Sequence, residues 1–162
     1  MSRGKLLGLA LFSVGSMVAS TALAEPVAEG GRKFTTPMSG AEECNSATPA
    51  VCGVGDPDGS ATGHITVNVG QQRVCWEFTN VTNIAAPHRG HIHKAAAGTN
   101  GAIVVDFFNM PVGTPGPLTG CTTAVLSRAL LKDIIQHPSA YYLNLHNEPF
   151  PAGAIRGQLE KK

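Results

Sequence analysis

Three of the chain's six histidines, His88, His91 and His93, lie within six consecutive residues. His91 and His93 are separated only by Ile92, and the segment then runs into the glycine-containing stretch 98–101. Because side chains alternate between the two faces of a β-strand, both imidazoles of a His-Ile-His strand lie on the same face. Two imidazoles on one face can bind a single metal ion. A half-exposed strand that only carries polar residues outward gives the same spacing.

A third histidine, His146, ends a segment in which apolar and polar residues alternate. The apolar set of this segment is Tyr141, Leu143 and Leu145. His146 is therefore predicted to lie on the polar face of its strand, just as His91 and His93 are predicted to lie on the polar face of their own strand. If the two strands are neighbours, three imidazoles converge. In the alternative interpretation, these rings form hydrogen bonds with Asn144, Asn147 or backbone carbonyls and bind no metal.

The elements that carry these residues are predicted to be short strands. Alternation over 60–69 and over 73–78 predicts a β-hairpin that turns at 70–72. The run 102–108 is apolar and β-branched on both faces, which is typical of a central strand. The run 34–40 predicts a short edge strand.

One helix is predicted among these strands, over residues 127–136. Ser127 can cap its first turn, and Pro138 follows its end. A last strand is predicted over 154–159. Together these elements predict an all-β fold, a Greek-key antiparallel β-sandwich or barrel with one short helix near 127–136.

Residues 1–24 have the pattern of a cleaved export signal. Arg3 and Lys5 precede an apolar run, and small residues stand at Ala22 and Ala24. The run is shorter than the roughly 20 residues that span a bilayer, and no later segment is apolar for that length. We therefore expect an exported protein, periplasmic or secreted, with no membrane span after signal removal.

The rest of the chain has the size and charge of one near-neutral domain. A short segment, 25–32, is expected to precede a single β domain over 33–162. Without Arg3 and Lys5, 10 basic residues stand against 11 acidic ones. This balance gives no electrostatic basis for binding nucleic acid or an anionic membrane.

Four cysteines are present, and in an exported chain an even number predicts two disulfides. Of the three possible pairings we favour Cys44–Cys52 together with Cys75–Cys121. Cys44 and Cys52 are close in sequence and flank a proline- and glycine-rich loop, which favours a local bridge. The absence of a C-x2-C pair argues against a cysteine-based zinc site.

Other polar residues are secondary candidates. His64 and His88 are possible further ligands, although surface exposure or hydrogen bonding explains each more simply. Arg156 is expected to bind backbone carbonyls of a turn rather than an anion. A Ser-His-Asp site has no support, because G-x-S-x-G is absent and Asp106 has no evident tie to a histidine.

Three segments together resemble the CHRD domain, a module repeated in the animal protein chordin and found alone in many exported bacterial proteins. They are 90–101, 141–146 and 151–159, and the likeness extends from about Lys33 to Leu159. The residues that match the family's motifs are His91, His93, Asn100, His146, Pro151, Arg156 and Gln158. After Glu43 the chain departs from the family pattern. The resemblance implies an all-β module and no catalytic activity.

A second resemblance concerns the histidines alone. A His-x-His strand with a later histidine beside it and an arginine near the C-terminus is similar to the copper half of copper/zinc superoxide dismutases. The histidines of a zinc half are missing, since the next ones after His93 are His137 and His146. A metal site would therefore hold one ion, with imidazole ligands that suit copper or zinc.

The sequence leaves three hypotheses for function. The first is an exported, non-enzymatic binding or structural module whose partner is a protein or a glycan, holding one copper or zinc ion on His91, His93 and His146. The second is a copper-dependent redox enzyme of superoxide-dismutase type, for which Arg156 or Arg89 would guide a small anion. The third is an architectural module without metal.

Overall fold

A computed structural model describes Met1 and residues 30–161. Beyond Met1, the predicted export signal lies outside the described residues, as does most of segment 25–32. The described strands and helix are β1 Arg32–Ser39, β2 Ser60–Asn68, β3 Arg73–Thr82, β4 Arg89–Lys94, β5 Ala102–Asn109, β6 Thr119–Cys121, α1 Arg128–Gln136, β7 Tyr141–His146 and β8 Ile155–Gln158. No helix within 30–161 is long and apolar enough to cross a membrane.

All eight strands belong to one antiparallel sheet with the order β5-β4-β7-β8-β1-β2-β3-β6. Several neighbours in the sheet, such as β4 and β7, are far apart in sequence. The links from β3 to β4 and from β5 to β6 therefore cross between distant parts of the sheet, as in Greek-key folds. The predicted all-β class and the single short helix are confirmed.

The sheet curls into a nearly closed barrel around one apolar core. Trp76 on β3 stacks on Phe107 of β5 with ring centroids 5.0 Å apart, although these two strands are not paired. The alternation that predicted the hairpin of β2 and β3 directs Ile65, Val67 and Val74 into this core. The opposite faces of the strands form the outside of the barrel.

Two predictions about strand position were wrong. The run 102–108 forms β5, which is the edge strand of the sheet, and Ile103 is 47% exposed. The run 34–40 lies in β1 except for Gly40, and β1 is internal because it pairs with both β2 and β8. An apolar run has the same composition at an edge as in the centre, and long-range pairing decides which it becomes.

The predicted helix is present as α1. The Ser127 side chain accepts a hydrogen bond from the backbone N–H of Leu130, which caps the first turn. Leu131 and Ile134 are fully buried against the barrel. The helix ends at Gln136, just before Pro138, because proline cannot continue the backbone hydrogen bonds.

Strand β7 is covered on both faces, and all six of its residues are buried. Leu143 and Leu145 belong to the core. Tyr142, Asn144 and His146 lie on the outer side of the barrel, where three loops cover them. These loops are 40–56, 95–101 and 147–154, and each contributes a hydrogen-bond partner to that face of β7.

The two disulfides join the cysteines that the sequence analysis paired. Cys44–Cys52 closes the loop 40–56 on itself. Cys75–Cys121 joins β3 to the three-residue strand β6, at positions that face each other across the ladder. The first disulfide restrains the cover of β7, and the second holds the short strand at the other end of the sheet.

Candidate metal centre

Strands β4 and β7 are antiparallel neighbours, and their register brings the three histidines together. His91 lies opposite Asn144, His93 lies opposite Tyr142, and His146 lies opposite Arg89. Residues directly opposite each other in an antiparallel pair share a face of the sheet. All three imidazoles therefore lie on the outer face of the barrel, beneath the covering loops.

The three rings form a compact cluster. Nδ1 of His91 lies 3.0 Å from Nε2 of His146, and one nitrogen from each of His91, His93 and His146 lies within 4.8 Å of the others. The residues are 2%, 6% and 6% exposed, respectively. Among the described residues this is the group of potential ligands close enough to hold one ion.

Backbone carbonyls fix the tautomers of two of these rings. Nδ1 of His93 lies 2.9 Å from the Gly101 carbonyl oxygen, and Nδ1 of His146 lies 3.1 Å from the Pro151 carbonyl oxygen. A carbonyl oxygen only accepts, so both Nδ1 atoms carry the proton. In the neutral rings, Nε2 of His93 and Nε2 of His146 therefore present lone pairs to the cluster. Nε2 of His93 is buried with no hydrogen-bond partner.

His91 lies between two groups that both accept. Its Nδ1 faces the lone pair of His146 Nε2 at 3.0 Å, and its Nε2 lies 3.3 Å from Oδ1 of Asp106. A neutral imidazole has one proton and can satisfy only one of these neighbours. When Nε2 carries the proton toward Asp106, two lone pairs oppose each other between His91 and His146. A cation placed between them removes this conflict.

The surroundings keep the rings neutral. Burial, with a contribution from His93 and then Arg89, lowers the pKa of His91 to about 4. Burial and the proximity of His91 lower the pKa of His146 to about 3. Burial also lowers the pKa of His93. Neutral imidazoles have lone pairs available at physiological pH, which is the state that binds a metal.

An aromatic and cationic stack orients His93. Its ring lies parallel to that of Tyr142, with an interplanar angle of 8° and centroids 4.8 Å apart. The Arg156 guanidinium covers the other face of Tyr142, 3.6 Å from the ring centroid. The Tyr142 hydroxyl donates to Oδ1 of Asn100 at 2.7 Å. Together these contacts hold the plane of His93 toward the cluster.

Glu43 extends this polar face beyond the histidines. It is 1% exposed, and its Oε1 accepts a hydrogen bond from Nδ2 of Asn144 at 3.3 Å. Burial raises the pKa of Glu43 to about 7, and the nearby Arg156 charge acts in the opposite direction. The other carboxylate oxygen, Oε2, is buried without a hydrogen-bond partner.

The secondary candidates do not join the cluster. Both ring nitrogens of His64 contact threonine hydroxyls on strands β1 and β3, at 3.1 Å each. His88 is 2% exposed, and its backbone N–H donates to the His146 carbonyl, but its ring lies outside the group of ligands. Arg156 donates to the Thr99 carbonyl at 2.9 Å, which matches the expected role as a backbone partner.

Sequence reasoning missed two neighbours of the site. Asp106 was judged to have no tie to a histidine, and this was wrong, since β5 places it opposite His91. Glu43 was noted only as the residue after which the chain departs from the family pattern. The position of Glu43 depends on the loop 40–56, whose path nothing in the local pattern indicates.

The comparison with protein families agrees with this architecture. A family model described as the CHRD domain matches residues 34–159. The chain belongs to the CHRD domain family. The matched region contains the strands of this CHRD domain from Phe34 onward, both disulfides and all three histidines of the cluster. No curated protein and no solved structure gives a significant match.

Proposed function

We propose that this CHRD domain is an exported binding module that holds one copper or zinc ion on His91, His93 and His146. The ligand atoms are Nδ1 of His91, Nε2 of His93 and Nε2 of His146. The observation that carries the proposal is the position of His91, whose one proton cannot satisfy both Asp106 and His146. A metal ion accepts both opposed lone pairs and leaves the proton on Nε2 for Asp106.

The partners of the rings support the same assignment. Ligand histidines usually donate their second ring N–H to a carboxylate or a backbone carbonyl, which fixes the tautomer. Here Gly101, Pro151 and Asp106 supply two carbonyls and one carboxylate. Three neutral imidazoles suit copper and zinc better than magnesium or calcium, which prefer oxygen ligands.

Export is the second part of the proposal. Two disulfides are typical of proteins in oxidising compartments. The predicted signal over 1–24 is consistent with the same location. An exported domain with a buried three-histidine site can capture copper or zinc outside the cytoplasm.

The decisive experiment is a metal analysis of protein purified from its exported fraction without an affinity tag. Metal content by mass spectrometry is compared with that of the triple variant His91→Gln/His93→Gln/His146→Gln. We expect about one copper or zinc ion per chain, lost in the triple variant. His64→Gln is the matched control, because His64 is held by two threonines away from the cluster, and it keeps the metal.

The same preparations separate the other two hypotheses. Superoxide dismutation by the copper-loaded protein, absent from the triple variant, would replace the binding module by a redox enzyme. If neither copper nor zinc binds after reconstitution, the metal proposal fails and an architectural module remains. In that case the triple variant changes stability and nothing else.

A further inference from the structure

The ligand set of the histidine cluster carries no negative charge. Among the described residues, the group of potential ligands consists of the imidazoles of His91, His93 and His146, and no carboxylate belongs to it. All four cysteines form disulfides, so no thiolate is available. Each ring stays neutral when its second nitrogen keeps the proton that a carbonyl or a carboxylate accepts. An ion bound to these three rings therefore keeps its full formal charge.

Asp106, the carboxylate that contacts the cluster, lies on the wrong side of His91 to be a ligand. Its Oδ1 is 3.3 Å from Nε2 of His91, whereas the nitrogen that faces His146 is Nδ1. The Asp106 side chain is also 68% exposed, so water weakens its attraction for a buried ion. Asp106 thus holds a ring proton but offsets little of the charge of the ion.

Two guanidinium groups flank the cluster. Arg89 lies directly opposite His146 in the pairing of β4 with β7, and its Nη2 donates to the Pro151 carbonyl, which also accepts from His146. Arg156 is 2% exposed and lies over the ring of Tyr142, which in turn stacks on His93. Within the described part of the chain, neither arginine forms a salt bridge.

Glu43 balances only part of this positive charge. It is 1% exposed, its Oε1 accepts from Asn144, and the charge of Arg156 acts on it. One buried carboxylate therefore stands against two guanidinium groups. The Nε atom of Arg89 and the Nη2 atom of Arg156 are buried without hydrogen-bond partners, so neither charge is fully compensated by local dipoles.

Such surroundings disfavour a divalent ion more than a monovalent one. The cost of removing an ion from water rises with the square of its charge, and its repulsion by a fixed cation rises in proportion to its charge. Zinc in three-histidine sites completes its coordination with water, which it deprotonates to hydroxide. Here the three ligand residues are at most 6% exposed, which restricts that route to a compensating anion. Cu(I) carries a single charge and is stable with three nitrogen ligands.

We propose that the three-histidine site binds copper as Cu(I), in preference to the divalent ions Cu(II) and Zn(II). This inference rests on the metal site proposed above and specifies the ion that it selects. The ligand set supplies three neutral donors, and the two flanking arginines supply the discrimination by charge.

Competition with chromophoric chelators tests the preference on the mature protein. Cu(I) is titrated without oxygen and kept reduced by ascorbate, and Cu(II) and Zn(II) are titrated separately. We expect the dissociation constant for Cu(I) to be at least about 100-fold below that for Zn(II), and also below that for Cu(II). The triple variant His91→Gln/His93→Gln/His146→Gln should lose the Cu(I) binding.

Arg89→Gln tests the cause of the preference. Loss of one guanidinium should tighten Zn(II) binding about tenfold and Cu(I) binding only about threefold, because the repulsion of a dication is twice as large in free energy. Arg89→Lys keeps the charge and should keep the wild-type ratio of the two affinities, which separates the charge from the hydrogen bond to Pro151. Arg73→Gln is the matched control, because Arg73 on β3 donates to Gln71 away from the cluster, and both affinities should stay unchanged.

The outcomes distinguish this inference from the metal site on which it rests. Zn(II) or Cu(II) bound at least as tightly as Cu(I) would overturn the preference and leave the site itself standing. Binding of none of the three ions would overturn the site and the preference together. Cu(I) binding that persists in the triple variant would place the ion elsewhere, and an unchanged ratio of affinities in Arg89→Gln would overturn the electrostatic cause. Amide spectra of each variant show whether it is folded.

Discussion

At the scale of single residues, the tautomer of each histidine in the cluster depends on which neighbouring group accepts its ring proton. Gly101 and Pro151 hold the protons of His93 and His146 on Nδ1. Asp106 lies near the Nε2 of His91 from an exposed position on the edge strand, where its side chain is 68% exposed. Its carboxylate is therefore a positioning group that can be removed without disturbing the core.

Asp106→Asn should weaken copper or zinc binding about 10- to 100-fold, because the amide holds the proton on His91 Nε2 less strongly than the carboxylate. Competition with a chelator of known affinity measures the change. Glu77→Gln, another exposed carboxylate, should leave the affinity at the wild-type value. Equal affinity of Asp106→Asn and wild-type protein would show that Asp106 does not position His91.

The lowered pKa values of His91 and His146 predict how the metal-free domain responds to acid. Their folded pKa values, about 4 and about 3, lie below the ordinary histidine pKa of 6.5, so the folded state binds fewer protons than the unfolded state. The contribution of these two histidines to the free energy of unfolding is therefore fully present above pH 6.5. It is lost as the pH falls toward 4 and then 3. Each pKa unit corresponds to about 1.4 kcal/mol of the free energy of unfolding.

Urea unfolding at several pH values measures this dependence, in a Glu43→Gln background. That background is needed because the raised pKa of Glu43 acts with the opposite sign and lowers stability as the pH rises from 4.5 to about 7. Adding His91→Gln, His93→Gln and His146→Gln should flatten the curve between pH 6.5 and 4. A curve of unchanged slope would mean that other groups cause the acid sensitivity.

At the scale of elements, the loop 95–101 joins β4 to β5 and also orients the ring of His93. The Gly101 carbonyl accepts from His93, and the Gly101 backbone N–H lies 3.0 Å from Oδ1 of Asn100, the residue that also holds Tyr142. The backbone at Gly101 is packed so closely that a Cβ there would lie 2.1 Å from the Lys94 carbonyl oxygen. A side chain at this position must displace the backbone that orients His93.

Gly101→Ala should therefore lower both metal affinity and thermal stability. The matched control is Gly70→Ala in the hairpin turn, where the nearest atom to the added Cβ is at 3.4 Å. That substitution should change stability by no more than about 0.5 kcal/mol and leave the metal affinity unchanged. Chelator competition measures the metal affinity of both variants, and thermal unfolding measures their stability. Wild-type metal affinity in Gly101→Ala would contradict a role of this link in orienting His93.

At the scale of the whole molecule, the barrel is closed by packing where strand pairing stops. β5 and β6 end the sheet, and the gap is filled by contacts such as that of Trp76 with Phe107, while Phe78 also packs on Phe107 at 6.0 Å. Because Asp106 is next to Phe107, this packing also places the edge strand beside the histidine cluster. The core and the site are therefore coupled through β5.

Phe107→Ala should reduce the free energy of unfolding by about 3–5 kcal/mol, because it removes an aromatic ring from the core. Ile103→Ala on the same strand is the control. Ile103 is 47% exposed, so its loss should cost no more than about 0.5 kcal/mol. Denaturant unfolding of the metal-free proteins provides the comparison. Equal losses would show that β5 is held by its backbone pairing with β4 and not by the aromatic contact.

The sequence by itself determined which side chains share a face. Alternation with a period of two predicted that His91 and His93 lie on the same face of their strand. It also predicted that His146 lies on the face of its strand that Leu143 and Leu145 do not occupy, because adjacent residues of a strand point to opposite sides. It also predicted the helix near 127–136, since caps and apolar spacing are local signals. The even number of cysteines and their spacing favoured, among three possible pairings, the one that the structure has.

Only the tertiary structure decided which strands are neighbours and what covers their outer faces. The pairing of β4 with β7 joins residues 55 positions apart and turns two separate faces into one cluster. The edge position of β5, the contact of Asp106 with His91 and the burial of Glu43, which the loop 40–56 places against Asn144 of β7, follow from long-range packing. Local periodicity carries no information on these points, because the free energy of strand pairing and loop docking comes from contacts between distant segments.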